Sequence, residues 1–275
     1  MHSPAEVAQI LISVGKKKAE TSGGRLLVLG VLAGFFIAFA AIGASVASCT
    51  VESGSVAKLI SAVVFPGGLA MVLVAGSELF TGNTLMTVAL AERVISLGAM
   101  LRNWLLVYIG NFIGSLMGTA LFCLGGRLDL FGGKMALYAI ETAAAKCSLG
   151  FGPALLLGIG CNFLVCVAVL MSYGAGDVTG KIAGLFFPIM LFILAGFEHS
   201  VANMTYIPLG LFAEMNASYA AAAAGTDLAA LTWGNFLLGN LLPVTLGNII
   251  GGSVLVGGIW WFSYLRKGKA GERSE

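Results

Sequence analysis

A polar insert, Gly196-Phe197-Glu198-His199-Ser200-Val201-Ala202-Asn203, interrupts an apolar run over 182–212. A near copy, Gly76-Ser77-Glu78-Leu79-Phe80-Thr81-Gly82-Asn83, interrupts another over 59–90, and both fit Gly-x-Glu-x-x-x-x-Asn. Each run is about ten residues too long for one straight crossing of a bilayer core, which takes roughly 20. Each therefore reads as two half-helices joined by a central break. Lipid supplies no hydrogen-bond partners, so backbone freed at a break must be satisfied by protein or by a water-filled cavity. Charge at that depth marks a functional site. Interrupted segments at corresponding positions of two halves point to a transport site near the midplane.

Hydrophobic residues make up 58% of the 275 and charged residues 10%, against roughly 25% charged in soluble proteins. The chain reads as an all-α integral membrane protein with six spans at about 26–48, 59–90, 104–124, 151–172, 182–212 and 236–265. With the N-terminus inside, the cytoplasmic set is Lys16, Lys17, Lys18, Arg25, Arg93, Arg102, Lys181, Arg266, Lys267, Lys269 and Arg273, leaving Lys58, Arg127, Lys134 and Lys146 outside. That bias places both termini in the cytoplasm, for a multi-pass protein of the cell inner (cytoplasmic) membrane. The net charge of +2 gives no sign of a nucleic-acid partner. Cys49, Cys123, Cys147, Cys161 and Cys166 form neither a CxxC nor a Cys/His cluster, so neither a metal nor any other cofactor is expected. The first 25 residues carry no apolar core of signal-peptide length.

Three regions follow: a cytoplasmic N-terminal amphipathic helix in 1–24, a transmembrane channel domain in 25–265, and a cytoplasmic tail in 266–275. In the first, Ser3, Pro4 and Glu6 form a helix start with a capping box. Val7, Ile10, Leu11 and Val14 then recur at helical spacing. The helix over 3–14 is too short to span and should lie at the membrane surface, as a passive anchor or as a regulator of the inner mouth. Within the channel domain, Gly30 to Ala40 matches Gly158 to Ala168. Asn103, Val107, Gly110, Asn111 and Gly114 recur as Asn240, Val244, Gly247, Asn248 and Gly251. The repeats run over about 25–124 and 151–265. Three spans per repeat is an odd number, so the second half enters from the opposite side and the repeats are inverted.

What both halves share reads as scaffold, and what one half alone has reads as function. Glu78 with Glu198 and Asn83 with Asn203 are shared. The glutamates, acceptors when ionised, are expected to receive backbone N–H groups at the breaks. His199 faces Leu79 in the repeat, and Thr81 and Asn162 face Val201 and Gly34. His199 is thus the candidate centre, as a proton donor or as a hydrogen-bond donor, with Thr81 and Asn162 open between pathway lining and packing. Half-helices starting at the breaks aim their N-terminal N–H groups inward, which favours an anion. Lys146, in the long loop before span four, either draws anions to the mouth or is simply solvated. Phe65, Phe80 and Phe192 border the breaks as narrow gates or as packing.

These residues resemble the formate–nitrite transporter family. Phe197 to Met204 and Glu78 to Gly82 look like its two signature loops, and Pro243-Val244-Thr245-Leu246-Gly247-Asn248-Ile249-Ile250-Gly251-Gly252 like its sixth-helix motif. The resemblance implies an aquaporin-like protomer in a homopentamer, each protomer with its own pore. It makes His199 the central histidine, Thr81 the loop threonine facing it, Lys146 the vestibule lysine and Asn162 the span-four asparagine. Phe65, Leu79, Phe80 and Phe192 would then build two hydrophobic constrictions. The implied partners are protons, membrane lipid and small monovalent anions, with formate ahead of nitrite, hydrosulfide or lactate. A neutral-solute pore of the aquaporin kind would need two Asn-Pro-Ala loops, and the sequence has none. An enzyme would need a nucleophile with its base or a metal cluster, and no such arrangement accompanies Glu78, Glu198 and His199.

Overall fold

The computed structural model describes residues 1–266; the expected tail beyond Arg266, with Lys267, Lys269 and Arg273, lies outside the described residues. Among the described residues every regular element is helical. Span one is Gly23–Ser48, span three Leu97–Leu124, span four Phe151–Gly174 and span six Asn235–Tyr264. Span five is Val178–Leu194 and Ser200–Glu214, halves of 17 and 15 residues about the break. Span two is Gly54–Gly76 followed, after its break, by helical turns over 80–91. Its break is not central as expected, because Gly54–Gly76 is by itself 23 residues. This first part closes in a π-helical stretch, Met71–Gly76.

Both first halves end on a glycine in the left-handed region, Gly76 at φ 88° and Gly196 at φ 72°. A residue with a Cβ pays roughly 1–2 kcal/mol for that conformation, so glycine is the residue that lets the chain leave the helix there. Small residues also set the spacing of the spans. A Cβ on Gly30 would stand 2.9 Å from the Val107 carbonyl oxygen of span three, and one on Gly158 2.7 Å from that of Val244 in span six. Spans one and three, and four and six, are held backbone to backbone in the same way in each half.

The N-terminal helix runs over Pro4–Glu20, longer than expected. Its capping box forms, with Ser3 Oγ accepting the Glu6 N–H at 3.3 Å and Glu6 Oε2 accepting the Ser3 N–H at 2.6 Å. Val7 and Leu11 are buried in a cluster with Leu85, Val88, Val169 and Leu170. The apolar stripe therefore covers broken span two and span four of its own chain rather than lying free at a surface. A second short helix, Lys134–Cys147, occupies the stretch expected to be a loop. Met135, Ala136, Ala139, Ile140 and Ala143 are buried along one side of it. It packs beside Gly210 of span five.

Candidate functional site

The two breaks meet at the centre of the protomer. Thr81 Oγ1 lies 2.9 Å from His199 Nε2, joining the second half of span two to the start of the second half of span five. His199 is the N-cap of Ser200–Glu214 and its Nδ1 accepts the Ala202 N–H at 3.0 Å. A ring nitrogen that accepts a backbone N–H carries no proton. The neutral ring therefore holds its hydrogen on Nε2 and donates it to Thr81 Oγ1, a tautomer read from the bonding partners. Protonating Nδ1 would break the cap and set a cation at the positive end of the helix.

The backbone freed at the breaks is satisfied by asparagines rather than by the glutamates. Asn111 of span three accepts the Phe80 N–H at 2.9 Å through Oδ1 and donates through Nδ2 to the Gly30 and Glu78 carbonyls, both at 2.9 Å. Asn248 of span six accepts the Ser200 N–H at 2.9 Å and donates to the Gly158 and Glu198 carbonyls at 2.8 and 3.0 Å. Each amide thus uses both its oxygen and its nitrogen to tie a break to the backbone of a neighbouring span. An amide can do so because it donates and accepts, whereas a carboxylate only accepts.

The glutamates do something else. Glu78 accepts from Asn83 Nδ2 and from Lys18 Nζ, both at 2.7 Å. Glu198 accepts from Asn203 Nδ2 at 2.6 Å and from Lys146 Nζ at 2.7 Å. The symmetry continues outward. Asn83 and Asn203 donate to Asn103 and Asn240, each at 2.8 Å, and those in turn donate to the Lys18 and Lys146 carbonyls at 3.3 and 2.9 Å. Each half therefore carries one lysine on a short helix, clamped to the carboxylate beside its break.

Aromatic rings crowd the histidine. Phe192 stacks on the His199 ring with centroids 5.9 Å apart, and Phe65 meets Phe192 edge to face at 5.6 Å. Phe80 turns the other way, against Tyr108 at 4.8 Å and Trp104 at 6.0 Å. Asn162 is fully buried, its Nδ2 within 2.6 Å of the Asn248 carbonyl and 3.2 Å of the Thr81 carbonyl. It braces the threonine loop against span six.

A cavity of about 90 Å³ opens beside His199, with Lys58, Lys146, Phe192, Glu198 and Asn203 in its wall. Two smaller cavities of about 20 and 30 Å³ lie under the N-terminal helix and share Lys18, Gly82, Val169 and Tyr173. Leu79, with Leu69 and Val72, lines the second. Among the described residues no group of three or more His, Cys, Asp or Glu side chains is placed to hold a metal ion.

Sequence reasoning singled out His199, Thr81 and Lys146 but missed Lys18, Leu69 and the roles of Asn111 and Asn248. Lys146 lies on a helix and not in a loop. The signal for Lys18 was present, since it stands as far before Gly30 as Lys146 stands before Gly158. Carrying the repeat one helix further upstream would have paired them.

A family model described as Formate/nitrite transporter matches residues 5–262. An uncharacterized transporter, YrhG of Bacillus subtilis, is 41% identical over 97% of this chain and 95% of its own length. The formate channel FocA of Escherichia coli is 38% identical over 96% of this chain and 95% of its own. A solved structure described as a pentameric formate channel with formate bound superposes with a TM-score of 0.81 at 35% identity, covering 89% of this chain and 98% of that one.

Proposed function

The chain belongs to the formate/nitrite transporter family, and from that premise we propose that it is a pore for small monovalent anions of weak acids, with formate as its main cargo. The carrying observation is the Thr81–His199 pair where the two breaks meet. It sets two polar donors beside the Phe65–Phe192 contact, between cavities on either side. Formate ranks ahead of nitrite, hydrosulfide and lactate because the related proteins are named formate channels.

His199 acts by donating its Nε2 hydrogen. An anion arriving from the Lys146 side loses water as it nears Phe192, and a bare charge there is costly. An anion that enters between the two takes the Nε2 hydrogen in place of Thr81 Oγ1, and the Thr81 hydroxyl, whose own hydrogen is free to rotate, donates to it as well. With Nδ1 held by the Ala202 N–H, neutral His199 has no acidic proton to give. A proton that travels with the anion comes from vestibule water, whose transfer is favoured because desolvation raises the proton affinity of a carboxylate. The protomers assemble as a homopentamer in the inner membrane, with the N-terminal helix on the cytoplasmic side. That assembly is drawn from the related formate channel and that orientation from the lysine and arginine bias.

Purified protein in proteoliposomes tests the cargo when flux of formate, nitrite, hydrosulfide, lactate and glycerol is compared. Formate is expected to lead, nitrite and hydrosulfide to follow, and glycerol to stay at the level of empty vesicles. Glycerol flux without anion flux would overturn the reading.

A further inference from the structure

The two lysine–glutamate clamps leave the electrostatics of the mouths unexplained. Lys146 is 2.7 Å from Glu198 and Lys18 is 2.7 Å from Glu78. A cation in contact with a carboxylate forms a dipole, whose field falls off faster with distance than that of a free charge. Neither clamped lysine is therefore an effective long-range attractor for an anion in solution.

Lys58 differs from both. It stands in the wall of the His199-side cavity, near the start of Gly54–Gly76, and among the described residues it has no salt-bridge partner. The charged groups that face it are Lys146 and Glu198. Its Nζ would be 3.8 Å from a Cβ on Gly196, so the ammonium lies over the left-handed turn that leads into Glu198 and His199. That mouth holds two lysines against one carboxylate. Counting back from Glu198 by the separation of Lys58 from Glu78 reaches Val178. The second repeat thus has an apolar residue where the first has this lysine.

Resting on the anion-pore reading above, we propose that Lys58 is the anion-capture residue of the Lys146-side mouth. A single unneutralised charge at the entrance of an apolar-walled cleft concentrates anions there, and salt weakens that effect. The clamped Lys146 then hands the anion on toward His199.

The test is formate flux through full-length protein in right-side-out and inside-out membrane vesicles, for wild type, Lys58→Gln and Lys58→Arg. At low ionic strength, Lys58→Gln is expected to raise the half-saturating formate concentration roughly threefold to tenfold for entry from the Lys146 side. Maximal flux and entry from the Lys18 side should change less than about twofold. Lys58→Arg should behave as wild type, and the Lys58→Gln defect should shrink as ionic strength rises toward 1 M, where the screening length is about 3 Å. An unshifted half-saturation in Lys58→Gln, an equal shift from both sides, or a shift indifferent to salt would each overturn the proposal. Loss of function in both variants with wild-type assembly would overturn it as well, in favour of a packing role. Absence of formate flux in wild type would instead strike the anion-pore reading itself.

Discussion

His199 has one ring hydrogen to donate away from its own helix, because its other ring nitrogen caps that helix. Nδ1 is tied to the Ala202 N–H at 3.0 Å and Nε2 to Thr81 Oγ1 at 2.9 Å. Nitrogen-15 spectra of bilayer-embedded protein, where His2 is the only other histidine, should show an unprotonated Nδ1 and a protonated Nε2 that do not titrate between about pH 5 and 8, the range in which an unperturbed histidine changes charge. An imidazolium signal appearing in that range would show that the cap yields and the ring serves as an acid. Asn111 is the clearest structural residue. Asn111→Ala strands the buried Phe80 N–H and the Glu78 carbonyl, while the Gly30 carbonyl keeps the bond of its own helix. At about 1–3 kcal/mol for each buried unpaired group, the loss should be at least about 2 kcal/mol, seen as a lowered Tm in detergent. The asparagines were visible in the sequence as repeat matches, but their task was not. It depends on which strands of three separate spans lie within 3 Å, and the periodicity of one helix carries no information about its partners. His199 and Thr81 were legible because they break the repeat.

At the scale of elements, the broken spans and the inverted halves were readable because long apolar runs and internal copies leave a direct trace. The off-centre break in span two was not, since the π-helical Met71–Gly76 has the same apolar composition as the α-helix before it. Lys134–Cys147 does not read as a helix in the sequence because its buried side is built mostly of alanines, which give a weak amphipathic signal. The N-terminal helix was recognised from its cap, and the cap makes it sensitive to acid. Backbone and side-chain hydrogen bonds from Ser3 hold the Glu6 carboxyl below its ordinary value. A group whose folded value is lowered contributes stability above its unfolded value and loses it as pH falls through the folded one. The first turn should therefore fray on acidification below the usual carboxylate range. Hydrogen exchange of the 1–20 segment, corrected for intrinsic rates, should rise there in wild type, and in Glu6→Gln should be raised already at neutral pH and vary little with acid. Equal pH dependence in the two proteins would remove Glu6 from the explanation.

At the scale of the whole molecule, each half presents a short helix with a clamped lysine, a pair of close-packed spans and a broken span. His199 and Lys58 stand opposite Leu79 and Val178 in the repeat, so the scaffold is symmetric and these two positions are not. The positive residues predict an orientation with both termini in the cytoplasm. A single cysteine at Ser274, which lies outside the described residues, should resist an impermeant reagent in intact cells, while one at Gly126 in the loop after span three should react. Labelling at Ser274 with none at Gly126 would reverse the orientation. The anion-pore reading with His199 at its centre meets its most direct test in one vesicle preparation, with formate and glycerol flux measured side by side for wild type, His199→Asn and His199→Phe, each checked for assembly. Wild type should carry formate and exclude glycerol, His199→Asn should retain formate flux within about tenfold because its amide still donates, the loss of one donor geometry being worth roughly 1.4 kcal/mol or less, and His199→Phe should fall to the level of empty vesicles. Undiminished formate flux in assembled His199→Phe, or glycerol flux without formate flux in wild type, would contradict it.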